Sequence, residues 1–180
     1  VECYAWFRNN LQKKAVIIFE DAGDHDLYMQ KTLELPINEL IELFKQAGRI
    51  IAILHQKNTY HADTKPGNFV FDAAAQNPIL RLIDSDDVRC YNKLNEKRKI
   101  KNLAQFIGCS QKIISVEKYV TILGFFLREY LKVSKLPMSK LPKLFHDLAT
   151  STKTLYPERE KLNSKIIIQL QKLNSNFEAF

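Results

Sequence analysis

Apolar residues recur along this chain in two rhythms, a short one near the start and a longer one afterwards. Cys3-Tyr4-Ala5-Trp6-Phe7 and Ala15-Val16-Ile17-Ile18-Phe19 are compact apolar runs separated by Arg8-Asn9-Asn10 and Lys13-Lys14, a pattern that predicts an antiparallel hairpin. Glu20-Asp21-Ala22-Gly23-Asp24 then interrupts with turn residues. Ile37, Leu40, Ile41, Phe44, Ala47, Ile51 and Leu54 return at three- and four-residue steps, the period of an amphipathic helix over about 36–57. Pro36 suits its first turn, and Glu39 and Glu42 suit the positive N-terminal end. His55, near the end of this helix, reads as a structural or partly exposed histidine, not a catalyst.

Phe69-Val70-Phe71 and Leu80-Arg81-Leu82-Ile83 read as two short strands, with Asn77-Pro78 marking a turn between them. The longer period then dominates. Ile100, Leu103, Ala104, Phe106 and Ile107 predict a helix over about 95–107. Ile113, Val116, Val120, Leu123, Leu127 and Tyr130 predict another over about 112–133, and Phe125 and Phe126 broaden its apolar face enough for burial on more than one side. Further helices are expected over about 140–150 and, opened by Pro157 and Glu158, over about 157–174. The fold class is α+β: an N-terminal β-hairpin, a second hairpin in the middle and a mainly helical second half.

Composition narrows the setting. With 180 residues, 46% hydrophobic and 11% aromatic, the chain has material for one packed domain. No stretch approaches the roughly 18 uninterrupted apolar residues of a membrane span, and the first residues do not form a basic-then-apolar export signal. Cys3, Cys90 and Cys109 are odd in number and form no C-x-x-C pair, so a reducing, cytoplasmic setting is expected. Charge is uneven: residues 1–90 carry a net −3 and residues 91–180 a net +10, together the +7 of the whole chain. That asymmetry points to an anionic partner. Specific nucleic-acid binding is not expected, since neither a stacking motif nor a helix-turn-helix accompanies the charge.

The candidate chemistry lies in Tyr60-His61-Ala62-Asp63-Thr64-Lys65-Pro66-Gly67-Asn68, answered downstream by Leu82-Ile83-Asp84-Ser85-Asp86. This is a polar connection pinned between hydrophobic segments, the usual way a scaffold positions reactive groups. Asp63 can accept a proton from an attacking hydroxyl, and Lys65 can neutralise phosphate charge. Asn68 and Asp84 offer the hard oxygen donors that Mg2+ prefers. The stretch therefore reads as a phosphoryl-transfer loop.

At these residues the sequence resembles the protein-kinase-like superfamily, whose catalytic loop H-R-D-x-x-x-x-N precedes a strand and a D-F-G metal ligand. His61, Asp63 and Asn68 fall at that spacing, Asp63 to Asn68 also fits D-x-K-P-x-N, and Asp84 takes the metal-ligand place. Ala62 stands where the arginine would be, and no A-P-E segment follows. Leu82-Ile83-Asp84-Ser85-Asp86 is similar to the L-I-D-x-D of the bacterial lipopolysaccharide kinases, the Kdo and core-heptose kinases, and Lys101-Asn102-Leu103-Ala104 is similar to their R-D-L-A.

The resemblance implies a kinase-like C-lobe over 23–180 preceded by the last two N-lobe strands and hinge over 1–22. Glu20, Asp21 and Ala22 would then pair with adenine through their main chain, with Phe19 beside the nucleotide. His61 would brace the loop. Asn102, in place of a buttressing aspartate, would accept backbone N–H bonds without charge assistance. Asp86 reads as a loop carboxylate that can assist the metal. The glycine-rich loop, the strand lysine and its glutamate partner find no counterpart here. Because the chain starts with Val1 instead of Met, it is expected to be a piece of a longer protein that holds them upstream.

The function implied is transfer of the ATP γ-phosphoryl group to a sugar hydroxyl of an anionic glycolipid or phosphorylated sugar, with Mg2+ as cofactor, at or near the cytoplasmic membrane face. A small-molecule kinase of the aminoglycoside or choline type shares H-x-D-x-x-x-x-N, but its cationic acceptors fit the basic second half poorly. A protein kinase, favoured by Lys65-Pro66, and a kinase-like binding module without catalysis are the remaining readings.

Overall fold

A computed structural model describes residues 3–9, 14–110 and 116–157. The predicted first hairpin is present: β1 (Cys3–Asn9) pairs antiparallel with β2 (Lys14–Phe19), Trp6 opposite Ile17, with a register slip between Cys3 and Ala5. A short strand β3 (His25–Asp26) and a single helical turn α1 (Gln30–Leu33) follow. Gly23, between β2 and β3, has φ +129°, and a Cβ there would lie 2.2 Å from the Phe71 carbonyl carbon. Only glycine lets the chain pass so close to the central sheet.

The long helix α2 spans Ile37–Gln56, with Pro36 as its N-cap. Its buried positions Leu40, Leu43, Phe44, Ala47, Gly48, Ile51, Ala52 and His55 form one continuous stripe. Asn58 stops it in a left-handed conformation, φ +55°, which asparagine tolerates better than most residues. Four short strands come next: β4 (Thr59–His61), β5 (Phe69–Phe71), β6 (Arg81–Leu82) and β7 (Val88–Cys90). They form a three-stranded sheet in the order β3-β5-β6 and a two-stranded ribbon β4-β7, all antiparallel.

Three helices complete the described chain: α3 (Glu96–Ser110), α4 (Val116–Val133) and α5 (Leu141–Leu155). α5 runs five residues beyond its expected end, and Thr150 and Thr154 there turn their hydroxyls back onto the carbonyls four residues earlier. The helix expected over about 157–174 lies outside the described residues, as does the first turn expected for α4.

The core sits where α2, α3 and α4 meet beneath the sheet. A Cβ on Gly48 would come within 2.5 Å of the Phe126 carbonyl oxygen, so α2 and α4 approach each other almost backbone to backbone. Phe106 of α3 lies at the centre: its ring is stacked on Phe126 at 4.6 Å and meets Phe44 and Phe69 edge-on at 5.5 and 5.2 Å. Phe69 begins β5, so this cluster carries the strand that leaves the polar loop.

Candidate active site

α2 delivers the chain to β4, and β4 is held by β7: Ala62 N–H donates to the Asp87 carbonyl at 3.1 Å just beyond the paired residues. His61, buried at the end of β4, spans the loop. Its Nδ1 accepts the Asp63 N–H at 3.2 Å, which puts the ring proton on Nε2 to donate to the Ile83 carbonyl at 3.2 Å. One imidazole thus ties the backbone of Asp63 to the residue before Asp84.

The four predicted polar groups converge. Lys65 Nζ lies 2.5 Å from Asp63 Oδ2. This hydrogen bond to the carboxylate is the main cause holding the Lys65 ammonium above its usual range. Asn68 Nδ2 donates to the Asp63 carbonyl at 2.8 Å and faces Asp63 Oδ2 at 3.3 Å and Asp84 Oδ2 at 3.4 Å. Asn68 is buried by the turn Pro66–Asn68, whereas Asp63 and Lys65 remain open to solvent. Asp84 is in the left-handed region, φ +65° and ψ +61°, at the head of the turn Ser85–Asp87. That conformation costs of order 1–3 kcal/mol for a non-glycine residue and is characteristic of functional positions.

Behind the loop stands α3. Thr64 Oγ1 donates to the Asn102 carbonyl at 2.8 Å, Asn102 Nδ2 donates to the His61 carbonyl at 2.6 Å, and Gln105 Nε2 donates to the Ala62 carbonyl at 2.7 Å. The Asn102 side chain therefore donates to a carbonyl, whereas it was expected to accept N–H groups. The reason is local: Ala62 and Asp63 have already given their N–H groups to Asp87 and His61, and their side of the seam presents carbonyls.

Asn102 Oδ1 in turn faces His55 Nε2 at 3.2 Å, and His55 Nδ1 faces the Tyr130 hydroxyl at 2.9 Å. His55 is buried and structural. Burial pushes its pKa down to about 4, and likewise raises that of the Tyr130 hydroxyl. Since the unfolded chain binds a proton at about 6.5 and the folded one does not, stability is full above that pH and falls as pH drops towards 4, at up to about 1.4 kcal/mol per unit. Urea unfolding of the wild type and of His55→Gln at pH 7 and pH 5 checks this. The wild type is expected to lose more stability than the variant over that interval.

Glu20, Asp21 and Ala22, the residues expected to form the hinge, are not in this cluster. Arg81 of β6 links the two: Nη1 donates to the Ala22 carbonyl at 3.3 Å and Nη2 lies 3.8 Å from Glu20, while three residues on stands Asp84. A cavity of about 520 Å3 opens beside the hinge, lined in part by Glu20, Asp21, Gly23, Asp72 and Arg81. A wider cleft of about 1010 Å3 lies along α2 and the tip between β5 and β6, and none of the predicted site residues lines it.

Residues 3–120 match the family model for the lipopolysaccharide kinase (Kdo/WaaP) family. The chain belongs to that family. Curated proteins give no match by sequence. The solved structure of WaaP in complex with acyl carrier protein superposes with a TM-score of 0.64 over 86% of this chain and 68% of that one, at 15% identity. The fold is thus the kinase-like C-lobe expected, and membership of a kinase family makes the protein a phosphotransferase.

The arrangement gathers two carboxylates, an ammonium and an amide on one short loop and the turn facing it. Among the described residues no group of three or more His, Cys, Asp or Glu side chains could hold a metal ion. A cation held by Asn68 and Asp84 must take its other ligands from phosphate and water, which is how Mg2+ is commonly bound. Sequence reasoning missed Thr64, Arg81 and Gln105. Gln105 had a legible signal, since it lies one helical turn from Asn102 and shares its face.

Proposed function

We propose that the protein transfers the γ-phosphoryl group of ATP to a sugar hydroxyl of lipopolysaccharide. The convergence of Asp63, Lys65, Asn68 and Asp84 within hydrogen-bonding range carries this reading. Asp63 orients the acceptor hydroxyl and takes its proton as the new O–P bond forms and the bond to the ADP oxygen breaks. Lys65 reaches the charge on the moving group from beside Asp63. Asn68 and Asp84 would hold Mg2+, which would supply charge neutralisation for the phosphates. The backbone of Glu20, Asp21 and Ala22 would pair with adenine. The loop contributes mainly positioning, which is what this chemistry demands.

The acceptor side is basic. β7 runs antiparallel to β4, and from Arg89 to Lys101 the chain carries Arg89, Lys93, Lys97, Arg98, Lys99 and Lys101 against one acid, Glu96. Glu96 pairs with Lys99 at 2.7 Å, and Arg98 lies over the Tyr91 ring at 4.4 Å. This face suits a phosphorylated glycolipid presented at an anionic membrane surface. None of the described helices is long and apolar enough to cross a membrane.

The test is phosphate transfer from γ-labelled ATP, with Mg2+, to purified lipopolysaccharide, to an aminoglycoside and to a protein substrate in parallel. Label is expected in lipopolysaccharide alone, and label in either of the others instead would reject the acceptor. Converting Lys93 and Arg98 to glutamine is expected to raise KM for lipopolysaccharide by about threefold to tenfold while leaving KM for ATP unchanged, since rim charges act mainly on encounter.

A further inference from the structure

The α3 seam suggests how this chain holds its catalytic loop without the expected carboxylate. Each buried backbone group needs a partner, and the accounting here is one-sided. Ala62 N–H is given to Asp87 and Asp63 N–H to His61, while the carbonyls of His61 and Ala62 point at α3. A carbonyl can only accept, so the amide of Asn102 must turn its Nδ2 to His61. Its Oδ1, which can only accept, then meets His55 Nε2 and requires the ring proton there, leaving Nδ1 to accept from the Tyr130 hydroxyl. Gln105, one turn on, repeats the arrangement towards Ala62. Thr32 aside, Thr64 and Asn102 are the most fully buried polar side chains described, both at 0% exposure.

We infer that Asn102 and Gln105 are positioning residues of reversed polarity, amide donors matched to loop carbonyls, so that position 102 requires an amide and not a carboxylate. A carboxylate at 102 would set an anionic oxygen against the His61 carbonyl where the two groups now stand 2.6 Å apart. The effect on Asp63 is indirect, through the backbone of His61 and Ala62. The inference rests on the kinase reading only for its activity readout.

The test compares Asn102→Ala, Asn102→Asp and Gln105→Glu in the intact protein. Turnover is expected to fall in the order wild type, Asn102→Ala, Asn102→Asp, with Asn102→Asp and Gln105→Glu each down by about tenfold or more and KM for ATP moved less than about twofold. Turnover is taken per folded, ATP-binding molecule: a purely structural role would lower the active fraction and leave turnover per active molecule unchanged. Gln105 makes no hydrogen bond to His55, so Gln105→Glu gives an arm free of any proton drawn onto His55 by a new carboxylate. Asn102→Asp turning over as fast as the wild type, or faster, overturns the inference. If the wild type itself transfers no phosphate, the kinase reading fails instead. Thermal midpoints then decide: the same descending order supports reversed polarity, and Asn102→Asp at or above the wild type rejects it.

Discussion

Asp63→Asn is expected to lower kcat for phosphate transfer by about 10³, within the 10²–10⁴ range typical of a removed general base. Asparagine keeps the size of the side chain and its place beside Asn68 and Lys65, so the loop should hold its shape. What disappears is the capacity to accept the acceptor's proton. Asp63 is distant in role from the nucleotide ligands, and KM for ATP should therefore change by less than about threefold. Steady-state kinetics with purified lipopolysaccharide provide the measurement. Turnover retained at the wild-type level would remove Asp63 as the base and leave Lys65 with a purely electrostatic site. Asp63→Ala should be at least as severe, since it also releases Lys65 from its hydrogen-bond partner.

The second large effect is on stability. Phe106→Ala is expected to cost about 3–5 kcal/mol, the range for truncating a fully buried aromatic ring. Three rings lose their common neighbour at once: Phe44, Phe69 and Phe126, which arrive from α2, β5 and α4. No single element can shift to close that gap without pulling away from the others. Against a total stability of roughly 5–15 kcal/mol this is a large share, and the thermal midpoint should drop by on the order of 10 °C. Phe106→Leu, which keeps most of the volume, should cost less than half as much. Equal losses for the two variants would show that ring geometry and not cavity volume dominates.

Much of this was legible in the sequence because long elements repeat. The stripe from Leu40 to Ile51 predicted α2 to within a residue at each end, and it continues to His55, which reads in the sequence as structural or partly exposed and is buried. The loop from His61 to Asn68 was legible for a different reason: its residue types and spacing match a chemistry, and the fold brings them together. β3, β4 and β7 were not legible. Strands of two or three residues show no alternation, and each exists only because a distant partner supplies its hydrogen bonds. The polarity of the Asn102 seam was also out of reach, since whether an amide donates or accepts depends on which backbone groups the neighbouring strands have already used.

Asp84 shows how two unrelated demands fall on one position. The backbone there is left-handed, φ +65°, a region entered readily by glycine and, among other residues, mainly by asparagine, aspartate and histidine. Of these, aspartate alone offers a compact anionic oxygen donor. Glutamate, the usual conservative exchange, meets the demand of charge and fails the demand of conformation. Under the proposed metal-binding role, the set of residues that satisfies this position is an intersection with one member, set by stereochemistry as much as by charge.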